Sequence, residues 1–405
     1  MEIPDRIKNK RFEKLEGKNI VVIRTGIGLG GSTFSDLGNI KMMLDMGSRV
    51  TLVTGFMSPE AQAQAQTLSN LEIRQVPELD RRFRFSDRTN HIEIIKQAIL
   101  DSTAGTDMVI FSQPFSGDAP LFSQALSSLE LEVPLGMRSY DPIREKAAFA
   151  TLSENSFGLP TTRVISNQMK STNPNLRAIV VPEYIDIRKP EPSEVIKLRN
   201  TLNIDDNDIV ILQPTRTDQR KRTDRGLHLA VQLQDFLPDR KVHYIIAATS
   251  KRPEDQPVIA ELQAFSEQNN FENLRLLDSI PQDQMSVYMS MATITTFMSQ
   301  YEGWGRIPAE SALLERMCVT SRYVNTEGDQ VFDKGYCGFR FITEEDPFGQ
   351  GVSRATIGRA LQYIHNPGSY RATIASNLLK AQQFTPDAVR IKLANTLIKV
   401  FDDEK

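Results

Sequence analysis

Cysteine, histidine and tryptophan are scarce in this sequence. Its 405 residues include two cysteines, four histidines and one tryptophan. Two cysteines, Cys318 and Cys337, cannot form the disulfide framework of a small secreted protein, which indicates a reducing compartment. The histidines and cysteines also lack the spacing of known metal-binding motifs. We therefore expect a cytoplasmic protein with no metal site.

Long apolar runs and a strong excess of one charge are missing as well. No stretch approaches the ~20 apolar residues of a membrane-spanning helix, and residues 1–10 carry charges where a secretory signal would be apolar. The net charge is -3 and the pI about 6.0, so nothing attracts the whole protein to nucleic acid or anionic lipid. We expect no nucleic-acid partner and no transmembrane segment. Peripheral membrane contact through a small basic face and the oligomeric state stay open.

Short apolar runs alternate with helical patterns from the start of the chain. Lys18–Arg24 predicts a buried strand, Gly26–Gly31 a glycine turn, and Ser32–Met46 a helix. This unit is typical of the opening of a doubly wound α/β domain. Further strands are predicted at Arg49–Thr54, Leu71–Val76, Met108–Ser112, Pro134–Arg138 and Arg177–Pro182.

The second half repeats the alternation after a polar, proline-containing connector, Tyr184–Pro192. Its predicted strands are Asp208–Gln213, Lys241–Ala247, Leu274–Leu277, Thr293–Met298, Met317–Ser321 and Phe339–Ile342. A chain of this length exceeds a single core. We therefore expect an α/β protein with two Rossmann-like doubly wound domains, residues 1–185 and 186–385, that face a cleft. Ligands of such sheets bind at the carboxyl ends of the strands.

A glycine-rich segment late in the chain offers two carboxylates. Glu302 and Glu310 are separated by seven residues, and the first three of these are Gly303, Trp304 and Gly305. Glycines let a backbone approach a ligand closely. Carboxylates accept hydrogen bonds from sugar hydroxyls, and the free N–H groups of the helix that follows suit phosphate oxygens. A loop and helix with solvated glutamates is the alternative interpretation.

A basic loop follows the first predicted strand of the second half. Arg216 and Lys221 are separated by four residues, and Arg220, Arg222 and Arg225 add positive charge nearby. An arginine fork grips two phosphate oxygens, while a lysine acts as a point charge. Such a loop suits a diphosphate, and by itself it also fits a solvated basic loop.

The two segments, in this order, resemble the motifs of retaining glycosyltransferases of the GT-B fold, family 4 in particular. The resemblance is clear over roughly residues 205–340 and looser before them. It implies metal-independent transfer of a sugar, with retention, from a nucleotide diphosphate sugar to an acceptor hydroxyl, without another cofactor. It also implies a last helix, within residues 386–405, that crosses back to the N-terminal domain.

The resemblance assigns roles to residues of both motifs. Arg216 and Lys221 would hold the donor diphosphate and stabilise the leaving nucleoside diphosphate. Glu302 would accept hydrogen bonds from the donor sugar, with the backbone of residues 303–305 close by, and Glu310 would hold the ribose. No carboxylate of the first half stands out as a covalent nucleophile, so we expect same-face attack assisted by the leaving phosphate.

The glycine turn of the first half matches the pattern G-x-G-x-x-G of nicotinamide enzymes. That pattern also requires an acidic residue at the end of the second strand, where Val53–Gly55 offers none. A purely structural turn is one alternative. In the other, three glycines let backbone amides approach the donor phosphate or the acceptor: Gly28, Gly30 and Gly31.

Polar residues at predicted strand ends of the first half are candidates for an acceptor site. The candidates are Gln113, Asp118, Arg138, Tyr140 and Asp141, of which Asp118 and Asp141 are candidates for catalysis. Asp141 precedes a proline and is equally suited to cap a helix. Family members often carry a histidine here, and His91, in a predicted helix start, is a poor match to it.

Other functions stay open at this point. A GT-B relative can epimerise or hydrolyse a nucleotide sugar, and a non-catalytic protein can bind one. An NAD-dependent oxidoreductase is a more distant alternative. We expect a sugar-containing or small polar acceptor, and the base and sugar of the donor stay open.

Overall fold

The computed structural model describes residues 12–27, 31–80, 88–112, 125, 129, 131–139, 156–161, 163–249, 253–300, 304–321, 340–344 and 351–402. The chain divides into two compact units. The first comprises Met1–Tyr184 and Phe384–Lys405, and the second Ile185–Gln383. Within the described ranges, no helix combines the length and apolarity that crossing a membrane requires.

The first unit contains a parallel sheet with the strand order β3-β2-β1-β4-β5-β6-β7. In sequence, its described helices lie between consecutive strands, except for the last, which lies near the end of the chain. The strands are β1 Asn19–Arg24, β2 Arg49–Thr54, β3 Leu71–Gln75, β4 Met108–Ser112, β5 Leu135–Ser139, β6 Ser156–Pro160 and β7 Arg177–Ala178. The helices are α1 Gly31–Asp45, α2 Pro59–Gln66, α3 Arg88–Thr103, α4 Arg163–Thr172 and, from the end of the chain, α12 Pro386–Asp402.

The central strands of this sheet are buried on both faces. In β1, Ile20 and Val22 pack into one apolar cluster, while Val21 and Ile23 pack into another. Alternate residues of a strand point to opposite faces, so a strand covered on both sides reads as a continuous apolar run. The first cluster also holds Leu393 and other residues of α12, which packs against α1. The C-terminal helix thus belongs to the core of the first unit.

The second unit contains a parallel sheet with the strand order β10-β9-β8-β11-β12-β13. Its strands are β8 Ile209–Arg216, β9 Val242–Ala248, β10 Leu274–Leu276, β11 Ile294–Phe297, β12 Met317–Ser321 and β13 Ile342–Glu344. Its helices are α5 Pro192–Thr201, α6 Thr223–Phe236, α7 Gln256–Gln268, α8 Met285–Met291, α9 Arg306–Leu313, α10 Arg354–His365 and α11 Arg371–Ala381.

The predicted fold class is confirmed, since both units are parallel-sheet, Rossmann-like α/β domains. Several elements differ from the sequence prediction. Strand β6 and helices α2, α4 and α5 were not predicted, and the strand predicted over Arg177–Pro182 is limited to Arg177–Ala178. The last predicted strand, Phe339–Ile342, is shifted to Ile342–Glu344. Residues 179–191, which include most of the predicted connector, lack regular structure.

Strand β6 escapes prediction because its sequence, Ser-Phe-Gly-Leu-Pro, contains glycine and proline. Glycine weakens a strand, and in a strand interior it often marks a close approach by another group. A Cβ at Gly158 would lie 2.6 Å from the Met169 sulfur of α4. Tertiary packing therefore selects both the strand and its glycine, against the local propensity.

Candidate functional site in the second unit

The two sequence motifs of the second unit follow neighbouring parallel strands. The basic loop follows β8, and residues 300–315, here called the glutamate segment, follow β11; these two strands pair directly. Their carboxyl ends therefore lie at the same edge of the sheet. The Gln300 N–H donates a hydrogen bond of 2.9 Å to the Arg220 carbonyl oxygen. The structure thus brings the two motifs into contact.

A bulge redirects β8 before it enters the basic loop. The pairing with β9 shifts register between Gln213 and Arg216, where Pro214 has no N–H to donate. Beyond the bulge Arg216 is exposed, and its guanidinium lies 3.5 Å from the Asp218 carboxylate. Asp218 also accepts the Lys221 backbone N–H at 3.1 Å and so caps a short 3-10 turn, Gln219–Lys221. The loop therefore has a defined conformation.

Lys221 is held at both its side chain and its backbone. Its ammonium lies 5.5 Å from the centre of the Phe297 ring, within the range of a cation–π contact. Its carbonyl oxygen accepts a hydrogen bond of 3.0 Å from the Gln213 side chain. Phe297 is the last residue of β11, so the lysine head lies over the strand end that leads to the glutamate segment.

The next residue, Arg222, has a left-handed backbone with φ 49° and ψ 51°. Residues other than glycine adopt this conformation at a cost of about 1–2 kcal/mol. The guanidinium of Arg222 contacts the Asp224 carboxylate, with the shortest distance 2.8 Å from Nη2 to Oδ2. This turn redirects the chain from the basic loop into α6.

Helix α6 is anchored close to its start by a buried ion pair. Arg225 is fully buried, and its Nε donates to the Gly351 carbonyl oxygen at 3.0 Å. Its Nη2 lies 3.7 Å from Glu344, which also accepts the Ser353 N–H at 2.8 Å. A buried arginine needs such partners because desolvating its charge is costly. Arg225 therefore has a structural role, whereas Arg216 is exposed.

The glutamate segment enters α9 through a left-handed glycine, Gly305, with φ 75°. Trp304 just before it is buried, with 5% of its surface exposed. Glu310 lies in the middle of α9 and is also buried, with its Oε1 3.1 Å from the Arg306 Nε one turn earlier. A carboxylate held by a neighbouring arginine stays oriented. Arg306 thus contacts one of the predicted residues, and the sequence alone did not indicate this partner.

The structure describes only some of the remaining predicted donor and acceptor residues. Gly31 is the first residue of α1. The residues Gly28, Gly30, Gln113, Asp118, Tyr140, Asp141, Glu302 and Gly303 lie outside the described ranges. Their assigned roles stay predictions.

Arg138, predicted to bind the acceptor, lies in the interior of the first unit. Only 3% of its surface is exposed, and its guanidinium donates to the carbonyl oxygens of Leu159 at 3.3 Å, of Val181, and of Pro182 at 3.2 Å. These contacts tie β5 to β6 and to the chain that follows β7. They account for this arginine structurally, and its role toward an acceptor stays a prediction.

A second buried polar group lies beside Arg138 and was not predicted. Asp36 of α1 forms an ion pair with Arg24 and accepts the Ser112 hydroxyl at 2.5 Å. A cavity of about 20 Å³, large enough for one water molecule, is lined by polar and apolar side chains, of which the polar ones are Asp36, Asn39, Ser112 and Arg138. These residues join β1, β4 and α1 at the carboxyl edge of the first sheet.

Two histidines of the second unit are buried or half-buried. His243 is the second residue of β9, at the opposite edge of the sheet, and its Nε2 lies 2.9 Å from the Asp208 carboxylate. Burial lowers the pKa of His243, although Asp208 opposes this effect. His228 stacks on Phe265, and burial lowers its pKa as well. Burial raises the pKa of the Cys318 thiol to about 12, so this cysteine is unreactive at neutral pH.

The described part of the chain contains no set of side chains that could ligate a metal ion. Three or more His, Cys, Asp or Glu side chains are nowhere grouped there in a way that could hold a metal ion. The basic loop offers cationic side chains instead, and the start of α9 after Gly305 offers backbone N–H groups. Such groups bind anionic oxygens.

The chain shares the GT-B fold of known glycosyltransferase structures. HepE of Anabaena, solved with UDP and glucose, aligns over 94% of this chain and 99% of its own, with a TM-score of 0.69 and 16% identity. Sucrose-phosphate synthase of Thermosynechococcus elongatus aligns over 95% and 100%, with a TM-score of 0.69 and 13% identity. At these identities the likeness establishes the fold alone.

One curated relative matches part of the sequence. Mannosylglucosylglycerate synthase of Thermotoga maritima is 23% identical over 228 residues, which is 50% of this chain and 52% of that protein. The match therefore spans about half the length of each. No model of a known protein family matches the sequence.

Proposed function

We propose that this protein is a glycosyltransferase that uses a nucleotide diphosphate sugar as donor, with UDP-glucose the first donor to test. The observation that carries the proposal is the hydrogen bond between Gln300 and Arg220. It joins the basic loop, which suits a diphosphate, to the glutamate segment, whose carboxylates suit the hydroxyls of a sugar and of a ribose. The structures of HepE with UDP and with UDP-glucose support the choice of donor. Mannosylglucosylglycerate synthase and sucrose-phosphate synthase support a sugar-containing or small polar acceptor.

In the proposed reaction, Arg216 and Lys221 neutralise the donor diphosphate. The bond between the sugar carbon and the phosphate oxygen breaks, and its electron pair goes to the leaving phosphate. The acceptor oxygen bonds to the same carbon, and its proton passes to that phosphate. Negative charge on the leaving group is greatest in the transition state, so a preorganised lysine there raises turnover.

Same-face attack of this kind retains the anomeric configuration and needs no metal. In the proposed site Glu310 accepts hydrogen bonds from the ribose hydroxyls, and Arg306 keeps its carboxylate oriented. Glu302 and Gly303 would contact the donor sugar. The low cysteine content agrees with a site of action in the cytoplasm.

The proposal is tested by calorimetry and thermal shift with UDP-, GDP- and ADP-sugars, with NAD as control. A ligand at ~100 times its Kd stabilises the protein by about 2.7 kcal/mol. We expect one nucleotide sugar to bind selectively, and an Arg216→Ala/Lys221→Ala variant to lose that binding. The matched control is Arg188→Ala/Lys189→Ala, which removes the same charge from exposed side chains of the same unit that pair with Glu194 and Glu315.

Other outcomes would favour the alternatives. Binding of NAD alone would contradict the proposal and indicate an oxidoreductase. Conversion of the bound nucleotide sugar without any acceptor would indicate an epimerase or hydrolase. Selective binding without turnover in an acceptor screen would favour a non-catalytic sugar-nucleotide protein.

A further inference from the structure

Two fully buried polar side chains lie directly beneath the basic loop. Gln213 of β8 and Tyr244 of β9 each have 0% of their surface exposed. The Tyr244 hydroxyl lies 2.8 Å from the Gln213 side-chain oxygen, which also accepts the Thr296 hydroxyl at 3.2 Å. Burying such groups is costly unless they are hydrogen-bonded. Both side chains meet this requirement, because each is hydrogen-bonded within the sheet.

The pair contacts the chain on both sides of the left-handed Arg222. The Gln213 side-chain amide donates to the Lys221 carbonyl oxygen at 3.0 Å. The Tyr244 hydroxyl lies 2.9 Å from the Thr223 carbonyl oxygen. Burial raises the pKa of Tyr244 well above its ordinary value, so the phenol keeps its proton for these oxygens. Residues 221 and 223 are thereby fixed, and the strained residue lies between them.

A strained backbone persists only where its surroundings determine it. Here Gln213 and Tyr244 supply that constraint from the sheet, and Gly226 of α6 permits it. A Cβ at Gly226 would lie 2.7 Å from the Tyr244 ring carbon Cζ and 2.8 Å from the Gln213 side-chain oxygen. The helix start therefore approaches the pair as closely as a glycine allows. The same two side chains hydrogen-bond to the backbone of Lys221 and Thr223.

We propose that Gln213 and Tyr244 are positioning residues that hold Lys221 against the second phosphate of a nucleoside diphosphate. The inference rests on the proposed function and goes beyond it, because neither side chain need touch the donor. A hydrogen bond between the Lys221 ammonium and that phosphate is worth about ten- to a hundredfold in nucleotide affinity. If Lys221 is misplaced, part of this affinity is lost. The loss should affect the second phosphate alone.

The test compares the affinities of UDP and UMP for the full chain by calorimetry. The ratio of the two affinities isolates the second phosphate, and a smaller folded fraction does not change it. The variants are Tyr244→Phe and Gln213→Leu, with Lys221→Ala as the reference. Tyr363→Phe is the matched control, since Tyr363 is a buried tyrosine of α10 in the same unit. GDP with GMP or ADP with AMP replaces the uridine pair if a screen selects that base.

We expect the wild type to prefer UDP by at least about tenfold, and both Tyr244→Phe and Gln213→Leu to lower this preference by roughly three- to tenfold. Tyr363→Phe should leave it unchanged. Adding Tyr244→Phe to Lys221→Ala should lower the ratio no further, because the tyrosine acts through the lysine.

Two results would overturn the inference separately from the proposed function. If Lys221→Ala lowers the preference and Tyr244→Phe and Gln213→Leu do not, the pair serves folding only. If Tyr244→Phe has its full effect in the absence of Lys221, it acts by another route. A wild type that shows no preference for any nucleoside diphosphate contradicts the proposed function, and the inference falls with it.

Discussion

The backbone N–H of Gln300 donates a hydrogen bond of 2.9 Å to the carbonyl oxygen of Arg220. This single contact joins two motifs that are far apart in sequence. Arg220 lies within the 3-10 turn that ends at Lys221, and Gln300 leads into the glutamate segment. Because the donor and the acceptor are both backbone groups, the contact between the two loops does not depend on the side chains of Gln300 and Arg220. In the proposed site, a donor that contacts one loop would therefore lie beside the other.

The first prediction concerns Glu310 and the ribose of the donor. Glu310→Ala should raise the Kd for UDP by roughly ten- to a hundredfold, because hydrogen bonds to a carboxylate are worth about 1.5–3 kcal/mol. Calorimetry measures the change. The matched ligand is 2′,3′-dideoxy-UDP, for which wild type and variant should be nearly equal. An equal loss for both ligands would contradict the ribose contact.

A control variant for this experiment lies in the turn after α9. Glu315 is exposed and pairs with Lys189 at 2.6 Å. Glu315→Ala removes the same charge as Glu310→Ala without touching the buried carboxylate. It should leave the Kd of both nucleotides unchanged, so a loss there would indicate a general effect of net charge.

The second prediction concerns the left-handed backbone at Arg222. Arg222→Gly should be more stable than Arg222→Val by about 1 kcal/mol, since the left-handed conformation costs 1–2 kcal/mol without glycine and glycine's extra unfolded-state entropy offsets part of this. The two variants lose the same Asp224 contact, so the comparison isolates the backbone. In thermal unfolding the difference is roughly 2–4 °C for a domain of this size.

The same pair of substitutions at Arg220 provides the control. Arg220 is not among the residues with positive φ, so Arg220→Gly should not be more stable than Arg220→Val. Equal melting temperatures for the two Arg222 variants would show that the turn relaxes away from the left-handed region. In that case Lys221 would be less constrained than its contacts indicate.

The alternation of strands and helices is readable from sequence because the strands are buried on both faces. Runs such as Ile209–Leu212 are apolar without interruption, and the helices between them follow a different period. The motif residues are also readable, since Arg216 and Lys221 come soon after such a run and Glu310 lies in the helix that follows the later strand β11. Local sequence thus predicted both sheets and the edge that carries the motifs.

The contacts that organise the site depend on partners far apart in sequence. Gln213 and Tyr244 meet only because β9 pairs with β8 and places Tyr244 opposite Ile211. A glutamine at the end of an apolar strand was the one available signal, and it was included in a predicted strand without a role. Arg138 shows the converse, because its polar character predicted a ligand contact while the structure bonds it to backbone carbonyls.

The third prediction concerns the pH dependence of stability. His243 titrates near 6.5 in an unfolded chain, whereas burial lowers its pKa in the fold. The unfolded state thus binds more protons below about pH 6.5, so stability present above that pH is lost as the pH falls through the folded pKa. Asp208 acts in the same direction at lower pH. Burial alone would raise the Asp208 pKa, but hydrogen bonds from His243 and the Asp205 N–H lower it overall.

His243→Gln should therefore reduce the loss of melting temperature between pH 7 and pH 5, because glutamine retains a polar partner for Asp208 and does not titrate. His228, whose pKa is also lowered by burial, remains in the variant, so the dependence is reduced and not abolished. Thermal unfolding at a series of pH values measures the slope. A slope identical to that of the wild type would show that His243 is not the titrating group.

The last prediction compares two glycines in helices of the second unit. Gly226→Ala places a methyl group 2.8 Å from the Gln213 side-chain oxygen and close to the Tyr244 ring, so α6 or the pair must move. Overpacking of this kind costs typically 1–3 kcal/mol. Gly358→Ala in α10 meets no atom within 4 Å and should stabilise by about 0.5–1 kcal/mol through helix propensity. Opposite shifts in melting temperature are expected. If Gly226→Ala is also stabilising, the contact between α6 and the Gln213–Tyr244 pair is looser than its geometry indicates, and Lys221 would keep its position without it.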